Sequence, residues 1–318
     1  MYKLILMELF KETKKKTFMI SIILIILTSF LVVYFVNKSE YKENNFNIIT
    51  EKLDKKEFEK QYPLSSYRNY ELRYNEYIEI MKNNIKLESY GNLSKTKYIF
   101  EQTKNIQVFL IILIVVIASS TLSNEFSKGT IKTMVISPHK RWHIILSKLI
   151  CLILIIIALN LILLCSMTIF TMIFTKTNVF LLREYVVINN VVESVNYFFH
   201  FVTKYFINIL PHLFICILSM FISMVFNGML SNTFGIILCL SGNLFSQILF
   251  GINMKFVQYT FLPYLDFSIF NDKTLLIINN MELGININLK SGILILTIST
   301  LVLYFLTTLI FVRKDIKN

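Results

Sequence analysis

The chain reads as an all-α integral membrane protein, and three observations carry that reading. Of its 318 residues, 55% are hydrophobic. The apolar residues gather into uninterrupted runs of about 20 residues, the length a helix needs to cross hydrocarbon, where no water satisfies an unpaired backbone group. The charged residues collect between the runs, and almost none falls inside one. A soluble domain of this length buries a sizeable core without such runs.

Residues 1–16 come first. Leu4, Ile5, Met7, Leu9 and Phe10 alternate with Lys3, Glu8, Lys11 and Glu12, the pattern of a short helix lying in the membrane interface. Lys14, Lys15 and Lys16 then precede the first apolar run, 17–36. That run is too long for the core of a secretion signal, and Asn37-Lys38-Ser39-Glu40 lacks a small-x-small cleavage site, so it is expected as a retained span. Residues 37–105 form the largest soluble piece. Within it Tyr67, Tyr70, Tyr74, Tyr77, Met81 and Ile85 recur at steps of three or four, which lines them along one helix face. Gly91 suits the end of that helix, and Phe46, Ile49 and Leu53 suggest a partner helix. The expectation is a helical hairpin inserted after the first span. Its aromatic stripe weighs more as packing than as a ligand platform.

Further spans are expected at 106–123, 143–174, 204–228, 231–252 and 291–312, which makes six in all. The run 143–174 exceeds what a bilayer needs, so it must tilt, kink or protrude; Asn160 lies near its middle. Asn227-Gly228 to Ser231-Asn232 joins the fourth and fifth spans as a tight hairpin. The segment 253–290 contains Phe261-Leu262-Pro263-Tyr264-Leu265-Asp266-Phe267, too apolar for an ordinary loop. It is expected to re-enter the bilayer packed on protein.

An even number of spans puts both termini on one side. The segments on that side hold Lys3, Lys11, Lys14, Lys15, Lys16, Lys128, Lys132, Lys140, Arg141, Arg313, Lys314 and Lys317. Only Glu8, Glu12, Glu125 and Asp315 oppose them, while the outer loops nearly balance. The positive-inside rule therefore places both termini in the cytoplasm of a multi-pass cell-membrane protein. The same flanking bases account for the net charge of +12, so the lipid bilayer rather than nucleic acid is the expected partner. Cys151, Cys165, Cys216 and Cys239 all lie in apolar runs without Cys-x-x-Cys spacing, and read as small buried side chains.

No catalytic motif is present: no Gly-x-x-x-x-Gly-Lys-Ser/Thr phosphate loop, no His-Glu-x-x-His, no Gly-x-Ser-x-Gly. No catalytic residue, metal site or cofactor is expected in this chain. His139 and His143 sit beside Trp142 as membrane-interface residues with no carboxylate close by in sequence to complete a metal site. The scarcity of charge inside the spans argues against an ion or proton path. The spans do hold small and neutral polar groups: Gly235, Ser241, Gly242, Asn243, Ser246 and Gln247 in the fifth, Ser219 and Ser223 in the fourth. These serve either as helix–helix glue or as a mildly polar pathway at a dimer seam.

The segment 124–142 breaks the apolar pattern. Ile131, Met134, Val135 and Ile136 give a short helix an apolar face, ringed by Lys128, Lys132, Lys140 and Arg141. Pro138 stops that helix and Trp142 anchors the next span. Such a helix can dock into a groove on a cytosolic partner; the other reading is a passive basic loop.

Glu125, Gly129-Thr130, Pro138, Arg141 and Lys148 resemble the E-x-x-x-G-T … P-x-x-R … K pattern that follows the second span of type-2 ABC exporter permeases. The expected spans, inner termini, N-terminal interfacial helix and apolar Pro-containing segment before the last span are similar too. The resemblance implies a permease dimer, of identical or related subunits, paired with two copies of a cytosolic ATP-binding subunit. ATP and Mg would be held by that subunit. It implies that Glu125, Lys128, Gly129, Thr130, Met134, Pro138 and Arg141 couple the spans to the ATPase, with Lys148 helping Arg141 to fix the membrane end of the segment. It places the first and fifth spans at the dimer centre, with Ser241, Asn243, Ser246 and Gln247 along the route. The uncharged spans favour an amphipathic or hydrophobic cargo, such as a toxin or antimicrobial peptide. The alternative is a membrane-embedded sensor that signals through the same cytoplasmic segment.

Overall fold

The structure, a computed structural model, describes residues 1–38, 90–127, 129–130, 140–188, 191–225, 228–271 and 273–313. Its helices are α1 (Tyr2–Thr13), α2 (Lys16–Lys38), α3 (Tyr90–Glu101), α4 (Thr103–Ser127), α5 (Arg141–Thr175), α6 (Tyr197–Ile207), α7 (Ile209–Val225), α8 (Gly228–Gly251), α9 (Lys273–Leu283) and α10 (Leu289–Arg313). Five helical stretches are long and apolar enough to cross a membrane: Lys16–Lys38, Lys95–Ser127, Arg141–Thr175, Tyr197–Val225 and Leu289–Arg313. The chain thus has the make-up of an all-α, multi-pass membrane protein. The expected span at 231–252 falls in α8, a helix of 24 residues, several of whose side chains lie outside the described residues. Most of the expected outer hairpin, residues 39–89, also lies outside them, and α3 is its described end.

Helix α7 is the centre of the bundle. It packs on α4, α8 and α10 and also touches α5, which pairs with α2. The contacts are hydrocarbon on hydrocarbon: Ile114, Leu110, Leu152, Leu159, Met167 and Met220 are among the buried residues of the main cluster. Polar atoms are used sparingly between helices. Ser166 Oγ donates to Ser29 Oγ at 2.9 Å, joining α5 to α2, and Ser219 Oγ donates to the Val115 carbonyl at 3.2 Å, joining α7 to α4. Asn160, buried at mid-helix in α5, accepts from the Tyr205 hydroxyl of α6 on both its carbonyl and its Oδ1, at 3.0 and 3.1 Å. Of the residues expected as helix–helix glue, Ser219 makes such a bond between helices.

Helix α5 runs unbroken for 35 residues and ends at Lys176, which takes a left-handed conformation with its N–H on the Met172 carbonyl. At 1.5 Å per residue it is roughly 50 Å long, more than a ~30 Å hydrocarbon core requires. The fourth span, expected as one helix at 204–228, is two. Helix α6 stops at Ile207 because Pro211 lacks an N–H and its ring excludes the Ile207 carbonyl from a continuous helix.

The described residues include one strand pair. Arg183–Ile188 (β1) and Val191–Asn196 (β2) pair antiparallel, Val186 opposite Glu193 and Val187 opposite Val192. The β-branched residues Val186, Val187, Ile188, Val191 and Val192 favour it. Asn196 then accepts from the Phe199 N–H as the N-cap of α6.

The described residues of 253–288 fold back over the bundle end that carries α3 and the start of α4, where Lys104 lies 3.7 Å from Asp266. Three 3-10 turns, Lys255–Tyr259, Leu262–Tyr264 and Phe267–Asn271, bury Val257, Tyr264, Leu265 and Phe267 against Phe214, Phe250 and Leu296. The described part of the segment packs on protein. The described N-terminal helix and the end of α10 lie at the opposite end of the bundle, beside the start of α5.

Candidate functional site

The first helix has an inverted face. Tyr2, Leu6, Met7 and Phe10 point outward, Phe10 being 64% exposed, while Glu8 and Glu12 are each 1% exposed. Positions 8 and 12 are one helical turn apart and share a face. That face lies on α5, where Lys148 is 1% exposed.

Lys148 Nζ donates to Glu8 at 3.0 Å and to Glu125 Oε1 at 2.6 Å. Lys11 Nζ also donates to Glu125 Oε1, and it sits 4.0 Å from Glu8. Lys15 Nζ donates to Glu12 at 2.6 Å. One charged cluster therefore ties the N-terminal helix to the last turn of α4 and the second turn of α5. Its carboxylates, Glu8, Glu12 and Glu125, face ammonium groups in equal number, Lys11, Lys15 and Lys148. A lone buried charge would be prohibitive; a balanced, hydrogen-bonded set is tolerated. Satisfaction is incomplete: Glu8 Oε1, Glu12 Oε2 and Glu125 Oε2 have no hydrogen-bond partner among the described residues.

Burial has a measurable electrostatic consequence on α1. It pushes the Glu12 carboxyl up from its ordinary 4.5, against the lowering pull of Lys15. Lys11 is raised from 10.5: burial opposes its charge, and the hydrogen bond and charge of Glu125 outweigh that. The signs give opposite limbs. The stability Glu12 contributes is complete below pH 4.5 and falls as pH rises through its raised folded value; that of Lys11 is complete below 10.5 and lost only above its own raised value. The protection of the amides of residues 2–13, relative to their intrinsic exchange at each pH, is therefore expected to fall as pH rises above 4.5, and Glu12→Gln should remove that fall.

The expected coupling residues can now be placed. Glu125 is not the start of a loop but the buried last turn of α4. Gly129 follows with φ +68°, in the left-handed region, and its N–H reaches the Phe126 carbonyl at 3.3 Å. This is the conformation that ends a helix on glycine. A Cβ at Gly129 would meet nothing within 4 Å, so Gly129→Ala would be resisted by backbone conformation alone. The expected cost is about 1 kcal/mol, with faster amide exchange over 124–130 and a milder effect for Gly129→Asn, which tolerates that conformation. Thr130 is exposed. Arg141 donates from Nη1 to the Val312 carbonyl at 2.8 Å and so holds the start of α5 against the end of α10. Lys128, Met134 and Pro138 lie outside the described residues.

The residues expected along the route are not gathered with this cluster. They lie on α8, where Ser241 donates to its own Ile237 carbonyl at 2.7 Å, Ser246 is buried and Gln247 is exposed. The side chain of Asn243 is outside the described residues, as is that of Cys239. Cys151 and Cys216 are buried, but Cys165 faces outward from α5, where hydrocarbon suits it equally. The Trp142 and His143 rings lie 3.9 Å apart, tilted by 38°, beside the charged end of the bundle. No group of three or more His, Cys, Asp or Glu able to hold a metal occurs among the described residues.

Sequence reasoning had Glu125 and Lys148 but missed Glu8, Glu12, Lys11 and Lys15 as their partners. The signal was available: two glutamates a turn apart, each with a lysine three residues on, on a helix that otherwise has apolar residues to offer the membrane.

No solved structure matches the chain. The Bacillus subtilis (strain 168) protein called "Uncharacterized protein YhcI" is similar, 27% identical over 211 residues, and that match covers 64% of this chain and 64% of the relative's own length. Residues 72–317, well over half of the chain and including α4, α5 and the end of α10, match the family described as "Protein of unknown function (DUF2705)". On that extent of agreement the chain belongs to the DUF2705 family.

Proposed function

We propose that this chain is the membrane subunit of an ATP-driven exporter of the type-2 ABC class, with α8 as its sixth span and both termini in the cytoplasm. The observation that carries the reading is the buried charge cluster. It locks the N-terminal helix and two long spans together at the root of the 124–142 segment. A push on that segment would then move α4, α5 and α1 as one piece. Such a rigid platform is what a subunit without its own phosphate loop needs in order to receive work from a separate ATPase. Gly129 sets the angle at which the segment leaves α4, and Arg141 ties its far end to the last span.

In this reading two such subunits pair, two ATP-binding chains dock beneath them, and ATP and Mg are bound there. The outward faces of α2 and α8, which carry Ile23, Phe30, Leu244 and Phe245, supply apolar surface for the dimer centre. An amphipathic cargo, such as a peptide toxin or antimicrobial peptide, suits a route with this little charge. The test is purification of the tagged full chain from its native membranes in mild detergent, with mass spectrometry of stoichiometric partners. The expected result is a co-purifying cytosolic ATPase in equal amount. A chain that comes alone, or with a kinase, overturns the exporter and moves the assignment to a membrane sensor.

A further inference from the structure

A cavity of about 280 Å3 opens between α5 and α10, floored by α7. Leu149 and Ile153 form one wall, Leu213 and Ile217 the floor, and Thr300 and Tyr304 the other wall. All three helices belong to stretches long and apolar enough to cross a membrane, so hydrocarbon is the expected medium beside the cavity. The volume is at the low end for a ligand site, and a dry apolar cavity of this size forfeits dispersion contacts unless something apolar fills it.

The two walls converge on a basic mouth. Leu146 continues the α5 wall toward the end that carries Trp142, Arg141 and Lys140. Leu146 lies one turn from Trp142, on the same face, so the tryptophan marks the mouth. Across from them α10 ends in Arg313, which like Lys140 is exposed. The Arg141 to Val312 hydrogen bond joins the two helix ends at that mouth. The start of α5, the positive end of the helix dipole, adds partial positive charge at the same place.

An apolar slot that leads to clustered bases at the membrane surface fits one class of molecule: a lipid with an acyl chain and an anionic headgroup. We propose that the α5–α10 groove holds an anionic phospholipid of the leaflet on the side of the two termini. Its chain lies on Ile153 and Ile217, and its phosphate lies on Lys140, Arg141 and Arg313. This inference does not depend on the exporter reading. The slot is set by α5, α7 and α10 rather than by the α2 and α8 faces assigned above to the dimer centre.

Trp142 is the chain's single tryptophan, which gives a direct readout. The full chain would be reconstituted in phosphatidylcholine vesicles that contain a small fraction of lipid brominated high in the acyl chain. The brominated lipid would be either phosphatidylglycerol or phosphatidylcholine. Brominated phosphatidylglycerol is expected to quench Trp142 at a several-fold lower mole fraction. The preference should shrink by on the order of fivefold for each of Lys140→Gln and Arg313→Gln. Ile153→Phe, which fills the slot and leaves the bases in place, should also abolish it. Equal quenching by the two lipids in the unaltered chain overturns the proposal. A preference that survives Ile153→Phe overturns the groove and reduces the effect to attraction of anionic lipid by a basic surface.

Discussion

Lys148→Ala is expected to destabilise the chain by about 3–5 kcal/mol, the cost of removing one partner from a buried ion pair. The side chain is 1% exposed and holds two carboxylates, Glu8 and Glu125, that are equally withdrawn from solvent. Its loss leaves both with uncompensated charge, and Lys11 can relieve only part of it. Lys11 has 37% of its side chain exposed, so its own bond to Glu125 is screened, and Lys11→Ala should cost under about 1 kcal/mol. The contrast between two lysines on one carboxylate is the useful part of the experiment. Thermal unfolding of the full chain in detergent micelles, followed through Trp142, measures both. A third variant separates charge from packing. Adding Glu8→Gln and Glu125→Gln to Lys148→Met removes the charges together and should recover most of the loss, because neutral groups of similar volume do not carry the desolvation penalty. Lys148→Ala as stable as the unaltered chain would remove the cluster from any structural role, and the rigid platform with it.

The same variants bear on function. If the 124–142 segment receives work from an ATPase, loosening α1 from α4 and α5 should lower cargo-stimulated ATP hydrolysis before it lowers membrane insertion. The Glu8→Gln, Glu125→Gln, Lys148→Met variant should restore the first as far as it restores stability. Loss of insertion in step with loss of hydrolysis would mark the cluster as a folding element only.

Much of the architecture was legible because the bilayer imposes one rule on every span. The apolar runs beginning at Thr17, Ile106, His143 and Ser291 each became a helix, with ends shifted by a few residues. The largest shift was at the second span, where α4 continues through Glu125 to Ser127. An ionic residue looks like the end of a span in sequence. In the fold it is the partner of Lys148, which lies 23 positions away, and no periodicity reports a contact of that range. The inward turn of Glu8 and Glu12 was hidden for a related reason. Amphipathicity tells that a helix has two faces but not which one meets the protein, and on α1 the protein takes the acidic face. The break before α7 could have been read from Pro211. The β1–β2 hairpin could have been read from its β-branched run, had the stretch between the third and fourth spans not been passed over as a connection.

Tyr264→Ala is expected to cost about 3–5 kcal/mol at the other end of the bundle, the range for removing a buried aromatic ring. Tyr264 is 1% exposed and lies at the centre of the folded-back segment. Its hydroxyl donates to the Gln258 carbonyl at 2.9 Å and lies 3.1 Å from Ser291 Oγ, and its ring stacks on Phe270 at 6.3 Å. Tyr264→Phe keeps the ring and should cost only about 1 kcal/mol, the net worth of a hydrogen bond. The decisive partner is Gly292 in the first turn of α10. A Cβ there would stand 2.7 Å from Tyr264 Cδ1 and 3.1 Å from Cε1, atoms of a ring fixed on both sides. Asn288 caps that turn, its Oδ1 accepting from the Ser291 N–H at 2.8 Å, so the backbone cannot easily withdraw. Gly292→Ala should therefore cost about 1–3 kcal/mol by overpacking. Residues in contact do not add, and here the non-addition has a sign. Once Tyr264→Ala has emptied the site, the added Cβ meets only Phe267 Cε1, at 3.3 Å, and that ring has the vacated space to move into. Gly292→Ala then mainly removes the flexibility of a helical glycine, so its cost should fall towards neutral. Equal costs for Gly292→Ala in both backgrounds, measured by thermal unfolding in micelles, would mean that the 253–288 segment does not rest on α10 through this ring.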